Sequence, residues 1–190
     1  MATVVHSRVV HPRIEAWEFD ALQANAGWSM DMELIAGEAV IVPPIGGSAS
    51  SVQGELHMML RDWQKDVDDK GLVLQEVFIA FPESSRPAPD ISYWTAERRP
   101  PVKRGAMQSI PDLIAEVLSP STRSNDLGVK RELYIRSGVR ELWLVDPEAH
   151  AVTRVRPEHP DEVLDEEMTL RSELLRGFEI DVARIFPFDA

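Results

Sequence analysis

The densest apolar patterning lies between residues 111 and 146, PDLIAEVLSPSTRSNDLGVKRELYIRSGVRELWLVD. Leu113, Ile114, Val117 and Leu118 form the short apolar run expected of a strand buried on both faces. Ser119-Pro120-Ser121-Thr122 ends it, because proline cannot continue a central ladder. N-cap types at Ser124, Asn125 and Asp126, with Gly138 as a C′ glycine, predict a helix over residues 127–137. Glu141 to Asp146 then reads as a second strand, closed by Pro147. Strand, helix and strand joined by short connections predict a right-handed parallel crossover.

Other patterns place elements around this unit. Residues 28–42 alternate in a β-like way around Gly37, which predicts a hairpin, and Pro43 to Ser48 reads as a loop. Val52, Leu56, Met59, Leu60 and Trp63 fall on one stripe of an amphipathic helix over residues 50–68. That stripe is core; Glu55 sits at its edge and is read as facing solvent. Residues 72–81 predict an apolar strand between Gly71 and Pro82, and Pro89 to Trp94 a short strand with Asp90 at its entrance. Ala151 to Val155 predicts an antiparallel strand, and residues 157–169 an acidic loop. Phe178, Ile180, Val182, Ile185 and Phe186 close the core. Residues 1–27 carry no strong period, beyond a short helix or turn near residues 22–27. They are read as an N-terminal extension to a single domain over residues 28–190, which 190 residues suffice to build. The fold class is α/β, a mixed sheet flanked by helices.

The chemistry starts from Glu116. A carboxylate inside a buried strand costs several kcal/mol unless it shifts its pKa or finds a cation. Asp90, at the entrance of another strand, supplies a second acid, and Lys130 lies inside the crossover helix. Asp126 and Lys130 are four residues apart, so they share one helix face, and a surface pair is the competing account of them. Two acids on separate strands with a lysine suit metal-dependent phosphodiester hydrolysis, since Mg²⁺ takes one or two protein carboxylates and keeps its waters.

These residues carry a family resemblance. Pro89-Asp90, EVLSPST at 116–122, Asp126 through Lys130, Tyr134, Gly138, and ELWLVDP at 141–147 resemble the Uma-type family within the PD-(D/E)XK nuclease superfamily. ELIAGE at 33–38 and LLRGFEIDVARIF at 174–186 extend the likeness over roughly residues 30–186. The resemblance implies a restriction-endonuclease-like core and an endonuclease that hydrolyses DNA with Mg²⁺ or Mn²⁺. It implies Asp90 and Glu116 as metal ligands, Lys130 as the catalytic lysine supplied from the helix, and Glu38 as a candidate third acid, with a surface role for Glu38 equally open. The superfamily lysine usually stands two residues after the second acid, where this chain has Leu118. A histidine that the family often carries near the start of the amphipathic helix is replaced by Ala49. Replacing Lys130 with Met is expected to spare the fold.

Charge refines this picture. The net charge is −12, which as a whole opposes nucleic-acid binding. Yet residues 98–140 carry nine basic and four acidic side chains, while both flanking stretches are acidic. Arg98, Arg99, Lys103, Arg104 and Arg123 are therefore candidate DNA contacts, with a solvated linker as the competing reading of residues 97–104. No cysteine is present, which excludes thiolate chemistry and fits a reducing compartment. No apolar run spans a membrane and no signal pattern opens the chain, so a cytoplasmic protein is expected. Ser119, Ser121 and Thr122 have no nearby histidine and no GxSxG, so a serine nucleophile is rejected. His57, His150 and His159 lack ligand spacing, and His6 and His11 read as surface residues. The assembly stays open between monomer and homodimer. A catalytically silent nuclease-fold binder of nucleic acid or protein, and a hydrolase of small phosphoesters, are the competing functions.

Overall fold

The computed structural model describes residues 13–25 and 32–186. Six strands form one mixed sheet in the order β3-β4-β5-β6-β7-β8. They are β3 (Leu72–Gln75), β4 (Ile91–Trp94), β5 (Leu113–Val117), β6 (Glu141–Asp146), β7 (Ala151–Val155) and β8 (Glu162–Leu164). β5 and β6 pair in parallel, as a crossover requires, and the other neighbours are antiparallel. His6, His11 and residues 28–31 of the expected β-like stretch lie outside the described residues.

The sheet is buried on both faces, and the period of two decides which side chain faces where. Leu113, Ala115 and Val117 of β5, with Trp143 and Val145 of β6, pack against Val52, Leu56, Leu60 and Trp63 of helix α2 (Gly47–Asp66). Ile114 and Leu118, with Leu142 and Leu144, point the other way, onto Leu133 and Tyr134 of the crossover helix. Glu116 shares the parity of Ile114 and Leu118, so it too faces the crossover helix. Asp90 has the parity of Trp94, which belongs to that same second core.

The remaining elements close the two faces. The hairpin of β1 (Met32–Ile35) and β2 (Glu38–Ile41) turns at Ala36 and Gly37, both at positive φ, as a two-residue type I′ turn demands. Its Ile35 joins the crossover-helix side of the core. Helix α1 (Ala16–Asn25) sets Phe19 edge-on to Phe78 at 5.5 Å between centroids, and Asp20 pairs with Arg86 at 2.9 Å. On the α2 side, β9 (Thr169–Arg171), β10 (Glu179–Asp181) and a 3₁₀ turn, Val182–Ile185, bring in Phe178, Ile180, Val182, Ile185 and Phe186.

Several expected boundaries differ: α1 spans Ala16–Asn25 where the sequence predicts only a short helix or turn near residues 22–27, and α2 begins at Gly47, inside the expected loop. The strand expected over residues 72–81 stops at Gln75, because Glu76 adopts positive φ; beyond it, Ile79 and Phe81 make only isolated bridges. The acidic stretch 157–169 contains β8, which pairs with β7 and forms an edge of the sheet. The crossover helix begins at Arg123 rather than at 127, so Ser124, Asn125 and Asp126 are helical and cap nothing. It comprises α3 (Arg123–Asn125), a π turn, Asp126–Lys130, and α4 (Arg131–Arg136), with Gly138 at φ +95° beyond its end.

Two glycines give opposite expectations for stability. A Cβ at Gly71 would meet Tyr93 Cε2 at 2.5 Å and the Trp94 carbonyl oxygen at 2.6 Å, whereas nothing lies within 4 Å of one at Gly54, inside α2. Gly71→Ala should therefore lower unfolding free energy by about 1–3 kcal/mol in a urea titration. Gly54→Ala should raise it by about 0.5–1 kcal/mol through helix propensity. The same sign for both would contradict this packing.

Candidate active site

The backbone between β4 and β5 builds the site first. Asp90 stands immediately before β4 and Glu116 near the end of β5; because the strands are antiparallel, both acids sit at the same end of the sheet. Val117 N–H donates to Asp90 Oδ2 at 2.6 Å, and Asp90 N–H lies 3.4 Å from Glu116 Oε2. Each acid is thus held by the other's strand. Gln53, buried in α2, donates to the Asp90 carbonyl at 3.3 Å and to Glu76 Oε1 at 3.0 Å, which braces the entrance of β4.

The crossover helix supplies the cation. Lys130 Nζ lies 2.8 Å from Glu116 Oε1, 3.2 Å from Asp126 Oδ1 and 3.3 Å from Glu33 Oε1, and all four side chains are buried. The Tyr134 hydroxyl donates to Glu116 Oε1 at 2.6 Å. The π turn carries both Asp126 and Lys130 inward, while Leu127 and Val129 remain exposed. π turns occur often at functional sites. Glu33 also accepts from the Ala88 N–H at 2.8 Å and so ties β1 to the segment that delivers Asp90. The cavity above this cluster is lined by Asp90, Glu116, Glu33, Asp126 and Lys130, by Ser119, Thr122 and Asn125, and by the apolar stretch at Ile41, Val42, Pro43 and Ile45.

Asp90, Glu116 and Lys130 therefore come together, as the strand ends and helix face implied. Glu38 does not: it is exposed on β2, and Glu33, five residues earlier, occupies the place a third acid would take. Glu33 and Gln53 were missed. Alternation does not single out Glu33, because Leu34 is as buried as Ile35 and the hairpin register puts Glu38 opposite Ile35 on the same face; nothing local marks Gln53 either. Arg98 pairs with the fully buried Asp112 at 2.7 Å, and Arg99 donates to the Lys70 carbonyl at 3.3 Å, so both are anchored at the opposite end of β4 from Asp90. Lys103 and Arg104 are exposed. Arg123 pairs with Asp146 at 2.8 Å. None of these five lines the cavity. Glu55 is half-buried on α2 and lies away from the cluster, beside Met59 and Phe178.

One ammonium faces several acids, and the titration behaviour follows. Burial pushes the Glu116 carboxyl up to about 8; Lys130 opposes the rise, while Asp126, Asp90 and Glu33 add to it. Burial likewise raises Asp90 to about 6, against the Val117 hydrogen bond and the charge of Lys130. Burial disfavours charge on Lys130, but Glu116, Tyr134, Glu33 and Asp126 outweigh it and hold the ammonium well above the ordinary lysine range. Replacing Lys130 with Met, read from the sequence as sparing the fold, is from this geometry expected to destabilise it by about 3–5 kcal/mol, since it leaves buried acids without their cation.

Among the described residues, no group of three or more Asp, Glu, His or Cys side chains converges as a metal cage, since the ammonium stands among Glu116, Asp126 and Glu33. Asp90 and Glu116 remain as two hard oxygen donors whose pKa values are raised chiefly by burial and further by the neighbouring acids. That set fits Mg²⁺ or Mn²⁺, which accept one or two carboxylates and complete their shell with water and carbonyl oxygens. It does not fit the tetrahedral nitrogen and sulfur ligation of structural zinc.

A stability measurement reads the same electrostatics. A carboxyl that titrates near 8 when folded and near 4.5 when unfolded binds more protons in the folded state between those values. Its contribution is full below the lower value and is lost as pH rises toward the upper one, by at most about 1.4 kcal/mol per pH unit. Metal-free wild type should lose stability relative to Glu116→Gln as pH climbs from about 5 to 8. Parallel pH profiles for the two proteins would contradict the raised Glu116.

Three comparisons bear on this arrangement. A family profile, Uma2, described as "Putative restriction endonuclease", matches residues 17–183. A crystal structure described as "a putative nuclease belonging to DUF820", from Anabaena variabilis, superposes with a TM-score of 0.77 at 22% identity. The alignment covers 92% of this chain and 98% of that one, and it shows the fold. No curated protein matches. The profile spans both acids, the lysine and every strand of the main sheet, and the chain belongs to the Uma2 family.

Proposed function

We propose that this protein is a Mg²⁺- or Mn²⁺-dependent endonuclease that hydrolyses phosphodiester bonds of DNA. The observation that carries the reading is the meeting of Asp90 and Glu116 at one end of adjacent strands, with the Lys130 ammonium 2.8 Å from Glu116. Family membership supports a nuclease. Asp90 and Glu116 would hold the metal, which when bound supplies an activated water and offsets charge on the phosphate.

The chain's own groups do the positioning. Val117 N–H fixes one oxygen of Asp90 and leaves the other to the cavity. Tyr134 and Lys130 both hold Glu116 Oε1, which leaves Oε2 on the side of Asp90. Lys130 lines the cavity as a point charge that favours negative charge building on the phosphate. Phosphate contacts outside the cavity would fall to the exposed Lys103 and Arg104; Arg98 is committed to Asp112 and Arg123 to Asp146. A silent nuclease-fold binder is the second reading, favoured by the engagement of Lys130 with three carboxylates and by the net charge of −12.

Plasmid nicking separates the two readings. Wild type should nick supercoiled plasmid with Mg²⁺ or Mn²⁺ and stop in EDTA, and Asp90→Asn should be inactive. Lys130→Met, assayed at a temperature where it is folded, should lose about 10²-fold or more in rate, the scale for one charge-stabilising group. Arg131→Met, which breaks only the half-exposed pair with Asp161, should cut normally. Calorimetry should show Mn²⁺ binding to wild type that Glu116→Gln abolishes. Metal binding without cleavage would replace the enzyme with the silent binder.

A further inference from the structure

The mouth of the cavity has an uneven lining. Asp90, Glu116, Glu33 and Asp126 form its floor, and Lys130 is its one basic residue. That ammonium is already shared among three carboxylates. The nearby Arg123 is tied to Asp146 at 2.8 Å. A duplex presents phosphates on both strands, and proteins that hold duplexes tightly neutralise about 6–10 of them with lysine and arginine. This mouth offers no such array.

It offers an apolar wall instead. Ile41 ends β2 and is 74% exposed, and Ile45, beyond Pro43 and Pro44, is 38% exposed. Ile41, Val42, Pro43 and Ile45 all line the cavity. Two consecutive prolines restrict the backbone of this lip, so its shape is set before anything binds. The lip is carried by the same hairpin whose Glu33 is fastened to Lys130 and to the Ala88 N–H, and this fixes its distance from Asp90. Ile41 stands largely in solvent beside a cluster of carboxylates, and Ile45 leaves part of its surface open there. They suit the face of a base outside the stack, which apolar as well as aromatic side chains hold.

We propose that this lip receives an unpaired nucleobase next to the scissile phosphate, so that the substrate is DNA with single-stranded character, such as a frayed end, flap or gap, in preference to intact duplex. The inference rests on the nuclease reading above and names its substrate class. The phosphate of the bound strand faces the acids and their metal, while the adjoining base turns onto Ile41, Pro43 and Ile45. A fully paired strand keeps its bases stacked and cannot use the wall.

Fluorescence anisotropy on the full chain tests this with Ca²⁺ present to occupy the acids and the probes checked intact on a gel afterwards, using labelled 20-nucleotide probes as a single strand, a blunt duplex and a duplex with a single-stranded overhang. Single strand and overhang should bind at least about tenfold more tightly than blunt duplex. Ile41→Ser/Ile45→Ser should remove most of that preference while keeping wild-type thermal stability and Mn²⁺ affinity. Ile41→Leu/Ile45→Leu should retain the preference. Equal or tighter binding of blunt duplex, no binding of any probe, or an unchanged preference in the serine variant would overturn the lip. Metal-dependent nicking with no strand preference would overturn the lip and keep the nuclease. A single-strand preference without cleavage by any metal would keep the lip and overturn the nuclease.

Discussion

The Lys130 ammonium is the ion on which the site depends. It is buried, and Glu116 of β5, Asp126 of its own helix and Glu33 of β1 all reach it within 3.3 Å. Three separate parts of the fold, the central sheet, the crossover helix and the hairpin, are thereby held at one point. Buried ion clusters contribute little net stability, because desolvation consumes most of the Coulomb attraction, but losing one partner is costly. Such a cluster therefore acts mainly on position. It sets where the acids stand, and it ties the lip above them to the same point.

The remaining shortage of positive charge is the chemical content of the site. Four acids line a cavity with one cation, and burial first, then the neighbouring acids, raise Glu116 and Asp90 above the ordinary carboxylate range. A divalent cation would relieve the same strain by other means. The fold keeps the two acids in place without it, since Val117 N–H, Asp90 N–H and the Tyr134 hydroxyl already satisfy part of their hydrogen-bonding capacity. Preorganisation of this kind limits how much the protein must rearrange when a substrate phosphate arrives.

Placement of these groups follows from two periodicities. Alternation along β5 puts Ala115 and Val117 on the α2 face and Glu116 on the other. Helical spacing returns Lys130 and Tyr134 to the face above it, and the π turn brings Asp126 with them. The position two residues after Glu116 is Leu118, which shares its face but belongs to the core, so the cation has to come from the helix.

Much of this was legible in the chain itself. An apolar run interrupted by Glu116, a second strand opened by Asp90, and a helix bearing Asp126 and Lys130 are local patterns, and local patterns survive folding when neighbours agree with them. The hairpin turn at Ala36-Gly37 and the crossover between β5 and β6 were readable for the same reason. Other features were set by contacts between residues distant in sequence. Glu33 rather than Glu38 joins the cluster because the 86–88 segment packs along β1 and the Ala88 N–H holds Glu33 there, 97 residues from the lysine it meets, while Glu38 on the other strand of the hairpin stays exposed. β3 stops at Gln75 despite the apolar text that follows, because the backbone reverses at Glu76 to carry Ile79 and Phe81 into the second core. Arg98, read as a candidate DNA contact, is drawn to Asp112, a buried carboxylate satisfied together by Arg98, Arg140 and the Thr95 N–H. Sequence determines which residues want burial, charge or a turn; only the packed chain decides which distant partner answers.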